Sequence, residues 1–522
     1  MSPLSRRDFL KLTSLLPAGK LFSSLPRQLP QFPHKQAGAE PNIIIVVFDA
    51  LSANNVGFLG YQRQTMPFLE RLLAKAVVYH QHYAPGPFTT PGTTSLLSGT
   101  MPWTHRAFRY NGRPLDSLRH HNLFSQFPDY QRIAYSHNPL ANTVMYEFED
   151  EIDRLTKRQD LFLSQGFISD LFSRDYTIAN LAREEGLGRF EVGQLTNSLF
   201  LSKLYTGLTQ QGNEKLMREY GADFPRGLPG LLENENFFLL EDVIDWMATQ
   251  SAETSDPYLA YYHLLPPHRP YRTRVDYFNQ FDGDDYLDIE KPQHVFSLGF
   301  QERAMRLRRR FYDEFLLYVD SEFERFYRGL EANGELDNTW LIFTSDHGEM
   351  FERGVVGHVH LSLNDPVIHI PLVIFPPGQQ ERVDVHTPTS ALDIVPTLLE
   401  VTGRRTPDWV EGQILPPFRN QPVDPERSIF SLQGKNNPAE LALQTYSASI
   451  RKGDFKLIYS AGYDELQNNQ YQNEYIEFYN IATDPEELTD LREQEPDIFK
   501  ALKDELLARI AAENEGYPRR QE

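Results

Sequence analysis

Asp49 closes the apolar run Asn42-Ile43-Ile44-Ile45-Val46-Val47-Phe48, and Asp346 with His347 closes a second one that starts at Thr339. Two carboxylates beside an imidazole form a mixed oxygen and nitrogen donor set for a divalent cation. Either Asp, read alone, serves equally well as a helix N-cap at a strand-to-helix turn. A second cluster is the hydroxyl-rich Phe88-Thr89-Thr90-Pro91-Gly92-Thr93-Thr94-Ser95, read as a loop feeding a short helix that runs to Gly99. A hydroxyl at a helix N-terminus lies among free N–H groups and the positive dipole end, where an oxyanion is stabilised. A Thr alcohol becomes a nucleophile once a metal or base removes its proton. In isolation the same hydroxyls would merely cap the helix. A third cluster is histidine-rich: Pro266-Pro267-His268-Arg269-Pro270-Tyr271, and Gly357-His358-Val359-His360 shortly after His347. Imidazoles beside Gly and Pro turns are placed for substrate contact.

These residues need a scaffold that gathers them. The run ending at Asp49 is apolar on both faces, as in a central parallel strand. Thr339–Thr344 reads the same way, Ile368–Phe375 as a third strand, and Tyr258–His263 as a fourth. Phe311, Phe315, Val319, Phe323, Phe326 and Leu330 recur at spacings of three and four, which predicts a long helix closed by Gly334. Helices between buried strands imply an α/β fold with a doubly wound, mostly parallel sheet. In such sheets ligands sit at the carboxyl ends of strands, where both Asp residues fall. Residues 145–250 read as a mostly helical insertion. Asp282-Gly283-Asp284-Asp285 reads as a solvated loop, since EF-hand spacing is absent. From 421 the texture changes to a hairpin, Tyr446–Arg451 and Phe455–Tyr459 around Lys452-Gly453-Asp454, a further strand at Glu474–Tyr479 and a helix near 496–513. That predicts a smaller C-terminal α+β subdomain over 421–522, behind a catalytic domain over 40–420.

The 522 residues are 40% hydrophobic and 24% charged, an ordinary globular balance that excludes global disorder. The net charge of −21 makes the chain a poor partner for nucleic acid. The absence of cysteine removes disulfides, thiolate metal sites and a Cys nucleophile. Ser5-Arg6-Arg7-Asp8-Phe9-Leu10-Lys11, a modest apolar stretch and Ala37-Gly38-Ala39 occur in the order of a twin-arginine export signal over 1–39. That predicts a client of the twin-arginine machinery, periplasmic or extracellular. No segment has the roughly 18 continuous apolar residues of a membrane span.

Taken together the motifs resemble the sulfatase branch of the alkaline phosphatase superfamily. The resemblance runs from Pro41 to about 510. It rests on Pro41–Asp49, Gly60–Pro67, Thr89–Gly99 with Met101-Pro102, Pro267–Tyr271, Phe343–Glu349, Leu392–Thr397, and Phe478-Tyr479-Asn480 with Asp484-Pro485-Glu486. It implies an alkaline phosphatase-like fold. The departures bear on the chemistry. Family sulfatases usually have two acids at the end of the first strand, where Ala50 follows Asp49 here. Their nucleophile is a formylglycine made from Cys or Ser in a C/S-x-P-x-R context; here Thr89 holds that position and Thr93 replaces the Arg. Threonine lacks the primary carbon needed to become formylglycine. The pattern is instead similar to the single-metal phosphoryl-transfer members, such as lipoteichoic acid synthases, in which the Thr forms a phospho-enzyme. The resemblance thus implies Asp49, Thr89, Asp346 and His347 around one divalent cation (Mn, Ca, Zn or Mg), with Thr89 as nucleophile. His268 and His358 would contact or protonate the substrate, His358 standing where many sulfatases carry a Lys. Asn111 and Asn138 are further substrate-contact candidates. The expected substrate is a small-molecule, glycan or lipid phosphoester. The alternatives are a sulfuric-ester hydrolase with an unmodified Thr and a non-catalytic sulfate- or glycan-binding relative.

Overall fold

The computed structural model describes residues 40–163, 212–232, 235–419, 424, 426–463 and 474–519. The Arg6-Arg7 pair, Ala37-Gly38-Ala39, the middle of the expected 145–250 insertion and the expected boundary at 421 lie outside the described residues.

Eight strands form the main sheet: β1 (Asn42–Phe48), β2 (Val77–Tyr79), β3 (Gln131–Ser136), β4 (Arg154–Leu155), β5 (Tyr258–Leu264), β6 (Thr339–Thr344), β7 (Leu372–Phe375) and β8 (Val383–Val385). Their spatial order is β8-β2-β7-β6-β1-β5-β3-β4. β1 lies between β5 and β6, parallel to both, and β3 runs parallel to β5. The period of two along β1 divides its side chains between two cores. Ile44, Val46 and Phe48 face one, with Phe315, Val319, Phe323 and Phe326 of the long helix. Ile43, Ile45 and Val47 face the other, with Leu96, Val144 and Val395. Burial on both faces is why β1 is apolar at every position.

The helices used below are α1 (Pro67–Leu72), α2 (Thr89–Ser98), α3 (Pro139–Glu147), α4 (Leu240–Glu253), α5 (Glu302–Ala332), α6 (Asp365–Ile368), α7 (Ile394–Val401) and α8 (Pro496–Asn514). α5 carries the expected apolar stripe, and Gly334 follows it with φ +78°, which favours glycine. The strand expected over Ile368–Phe375 is shorter and reversed. Ile368 ends α6, Pro371 has no N–H to give a ladder, and only Leu372–Phe375 pairs, antiparallel to β6 and β2. The acidic loop is also not simply solvated: both carboxylate oxygens of Asp284 accept from Arg63, at 2.6 and 2.9 Å.

Near the C-terminus, β9 (Ile429–Gln433), β10 (Tyr446–Lys452), β11 (Phe455–Ala461) and β12 (Glu474–Asn480) form an antiparallel sheet in sequence order. Its apolar face, including Leu432, Ile450, Leu457 and Phe478, packs with Leu502, Leu506 and Ile510 of α8 and with Trp103. The expected hairpin, strand and helix are all present.

Candidate active site

Four adjacent strands end at one edge of the sheet. Val47 is in register with His263 and with Thr344, and Ser136 with His263. Asp49, His263, Asp346 and the His137-Asn138 pair therefore arrive at the same level, although 297 residues separate Asp49 from Asp346. Just past β1, Ala50 sits at φ +62°, a left-handed conformation that strains a residue with a Cβ. Its carbonyl accepts from the Tyr312 hydroxyl at 2.6 Å, and the next amide, Leu51 N–H, donates to Ser345 Oγ at 3.0 Å. These bonds hold the turn that presents Asp49.

One ligand atom each from Asp49, Asp346 and His347 lies within 4.8 Å of the others, and all three residues are buried. His347 Nε2 is 3.3 Å from Asp49 Oδ1 and 3.5 Å from Asp346 Oδ2. Its other nitrogen, Nδ1, is 2.9 Å from the Gly348 carbonyl, so Nδ1–H donates there and Nε2 faces the carboxylates.

Thr89 is the first residue of α2 and is buried. Phe88 takes the N-cap position without a side-chain bond, so Thr89 is not a cap. Its Oγ1 lies 3.3 Å from His347 Nε2 and accepts from Asn138 Nδ2 at 3.2 Å. Asn138 caps α3 through its Oδ1, which accepts from Leu140 N–H at 2.7 Å, and its Nδ2 also donates to Asp49 Oδ2. The neighbouring Thr90 hydroxyl is turned away, donating to the Tyr110 carbonyl at 2.8 Å. The approach of α2 requires Gly92: a Cβ there would lie 2.3 Å from the Asp346 carbonyl oxygen.

His358 is buried beside His347, ring centroids 4.2 Å apart, and its Nδ1 is 3.1 Å from Glu349 Oε1. His268, half-buried, stacks beyond it with centroids 5.0 Å apart. The three imidazoles form a row from the carboxylates outward. Asn111 is not brought in: it is exposed, and among the described residues no hydrogen bond joins it to the cluster.

The electrostatics are unbalanced. Burial alone would raise the Asp49 carboxyl, but His268, His263 and His347 outweigh it and hold Asp49 well below the usual range. Burial pushes the Asp346 carboxyl up despite His347, and the Asp49 charge adds to the rise. Burial disfavours a charged His347, yet Asp346 and Asp49 overcome it and lift His347 to about 9. Burial, with the His347 and His268 charges, drives His358 well below its ordinary value. Asp49 Oδ1, Asp346 Oδ2 and His263 Nε2 are buried without a hydrogen bond. Unmet acceptors around paired carboxylates fit a divalent cation.

Sequence reasoning missed His263. It is fully buried, with Nε2 3.5 Å from Asp49 Oδ2 and 3.6 Å from Asp346 Oδ2. It lies inside β5, one residue before the end, so the only signal in the sequence was an imidazole near the carboxyl end of a buried strand.

The sulfatase family profile matches residues 41–404. The chain belongs to the sulfatase family. It is a sulfatase-family hydrolase of the alkaline phosphatase superfamily, and members of that family are metal-dependent. The choline-sulfatase of Rhizobium meliloti (strain 1021) is 23% identical over 482 residues, spanning 87% of this chain and 83% of the relative. A multifunctional alkaline phosphatase superfamily protein, PehA, of Trinickia caryophylli is 23% identical over 511 residues, spanning 86% and 91%. Among solved structures, the phosphonate monoester hydrolase of Agrobacterium radiobacter superposes with a TM-score of 0.62 at 19% identity, covering 91% of this chain and 96% of that one. That likeness confirms the alkaline phosphatase-like fold. Among the described residues no helix is long and apolar enough to cross a membrane.

Proposed function

We propose that this sulfatase-family hydrolase acts on phosphorus esters, as a hydrolase or phosphotransferase, through Thr89. The observation that carries the reading is the place of the Thr89 hydroxyl: at the head of α2, 3.3 Å from His347 and bonded by Asn138, beside two buried carboxylates. Asp49, Asp346, His347 and Thr89 would hold one divalent cation. When bound, the cation supplies Lewis-acid polarisation and lowers the proton affinity of the Thr89 oxygen. Asn138 orients that oxygen and ties it to Asp49. Thr89 Oγ, its proton passed to solvent water, attacks phosphorus in line as the bond to the leaving oxygen breaks. His268, at the open end of the imidazole row, protonates the leaving oxygen. His358, engaged with Glu349 and buried, holds a non-bridging oxygen. Water or an acceptor alcohol then releases the phosphoryl group from Thr89.

Threonine in place of a residue that could become formylglycine favours phosphorus over sulfur. That a phosphonate monoester hydrolase shares the fold supports the same reading. The second reading, sulfuric-ester hydrolysis, draws on the choline-sulfatase relative. The non-catalytic reading leaves the intact Asp49, Asp346, His347 and Thr89 group unexplained. A panel of aryl phosphate mono- and diesters, phosphonate monoesters and sulfates, run with and without chelator, tests all three. Chelator-sensitive turnover of phosphorus esters is expected; turnover of sulfates alone would sink the proposal. Export completes the reading, on the strength of Arg6-Arg7: replacing both by Lys should retain the protein in the cytoplasm, and unchanged export refutes it.

A further inference from the structure

The cation assigned above leaves one buried donor unexplained. His263 Nε2 is fully buried and makes no hydrogen bond. It stands 3.5 Å from Asp49 Oδ2 and 3.6 Å from Asp346 Oδ2, beyond the reach of a normal N–H···O bond. The ligand atoms that all lie close to one another are those of Asp49, Asp346 and His347; His263 Nε2 faces both carboxylates from beside that group, too far to bond either. Donors set tetrahedrally at metal–ligand distances of about 2.0–2.2 Å lie about 3.3–3.6 Å apart. The four imidazole–carboxylate separations in this cluster are 3.3, 3.5, 3.5 and 3.6 Å.

The other side of the ring has partners of its own. His263 Nδ1 is 3.1 Å from the Tyr261 hydroxyl and 3.5 Å from Thr93 Oγ1. Donation of Nδ1–H to Tyr261 leaves the Nε2 lone pair facing the carboxylates, the arrangement in which a ligand imidazole is held by a partner on its second nitrogen. Ala50, next to Asp49, offers no side-chain donor.

Resting on the cation reading of Asp49, Asp346, His347 and Thr89, we propose that His263 is a further ligand of the same ion, making a site of two carboxylates and two imidazoles beside the Thr89 oxygen. Such a donor set suits Mn, Fe or Zn better than Ca or Mg, which favour oxygen.

The test is spectroscopic. The full chain is stripped and reloaded with Mn²⁺ alone, with natural and with ¹⁵N-labelled histidine, and bound nitrogens are counted by pulsed electron paramagnetic resonance. Two coupled imidazoles are expected in the wild type. One is expected in His263→Ala, together with at least a tenfold loss of Mn²⁺ affinity in chelator competition. His263→Asp should recover binding while shifting preference toward Mg²⁺. Should His263→Ala fail to fold, His263→Gln takes its place in the count, with one coupled imidazole expected. A single coupled imidazole in the metal-loaded wild type, or two that persist in His263→Ala, overturns the proposal and leaves the original cation site standing. A wild type that takes up no Mn²⁺, Zn²⁺ or Mg²⁺ overturns the cation site as well.

Discussion

Two of the buried charged clusters among the described residues are built on opposite terms. At the seam between the main sheet and the C-terminal sheet, Lys456 of β11 donates to Asp365 at 2.5 Å and to Glu487 at 2.7 Å. The Asp365 N–H donates to the remaining Glu487 oxygen at 3.1 Å, and all three side chains are buried. Neither carboxylate there has an unmet buried oxygen. At the strand ends, Asp49 and Asp346 each keep an unbonded oxygen, and His263 an unbonded nitrogen. The first cluster is complete as folded and joins two layers of the protein. In the second, three buried polar atoms have no hydrogen-bond partner within the chain. Burial of charge thus does not identify a site; several unmet buried groups gathered at the ends of adjacent strands point to one.

The largest expected effect falls on the second cluster. Thr89→Ala should abolish turnover by orders of magnitude with little change in thermal midpoint, since Thr89 caps nothing. Thr89→Ser should keep part of the activity, and Thr90→Ala is the control. Full phosphoesterase activity in Thr89→Ala would falsify the nucleophile assignment.

Next comes a paired test of the contrast itself. Lys456→Met leaves Asp365 and Glu487 buried together without their cation, and should cost about 3–5 kcal/mol in denaturant unfolding. Asp346→Asn removes one of two mutually repelling carboxylates, so the metal-free protein should lose no stability while its metal content drops. Equal destabilisation of both variants, with metal content unchanged, would erase the distinction between the clusters.

The smallest effect concerns a buried carboxyl far from either cluster. Asp320 of α5 accepts from Phe68 N–H at 2.7 Å and Leu69 N–H at 2.9 Å, capping α1 in place of Met66. Burial pushes its pKa from 3.8 to about 7. Between those values the folded chain holds a proton that the unfolded chain has released. Its contribution to stability is therefore full below pH about 4 and is lost as pH rises to 7, at no more than about 1.4 kcal/mol per pH unit. Asp320→Asn should flatten that part of the stability–pH curve. An unaltered slope would mean that Asp320 is ionised in the fold.

The sequence by itself determined the elements and most of the site's parts. The unbroken apolar run Ile43–Phe48 can only be a strand covered on both faces. The three-and-four spacing from Phe311 to Leu330 can only be a helix with one buried stripe. Asp49, Thr89, Asp346 and His347 were legible because each ends or begins such an element, and local chemistry marks those ends. Tertiary structure decided what local patterns do not encode. The reversal of β7 follows from the strand it pairs with, not from its own composition. His263 reads as one more residue of a buried strand until the register of β5 against β1 sets it level with Val47 and beside Asp49. Asn138, expected as a substrate contact, caps α3, and its amide reaches Thr89 and Asp49. Lys456 alternates in a hairpin like any polar residue until two layers close over it. The physical reason is common to all four: hydrogen-bond register and layer packing join residues far apart in the chain, and a side chain's partners exist only once those contacts are made.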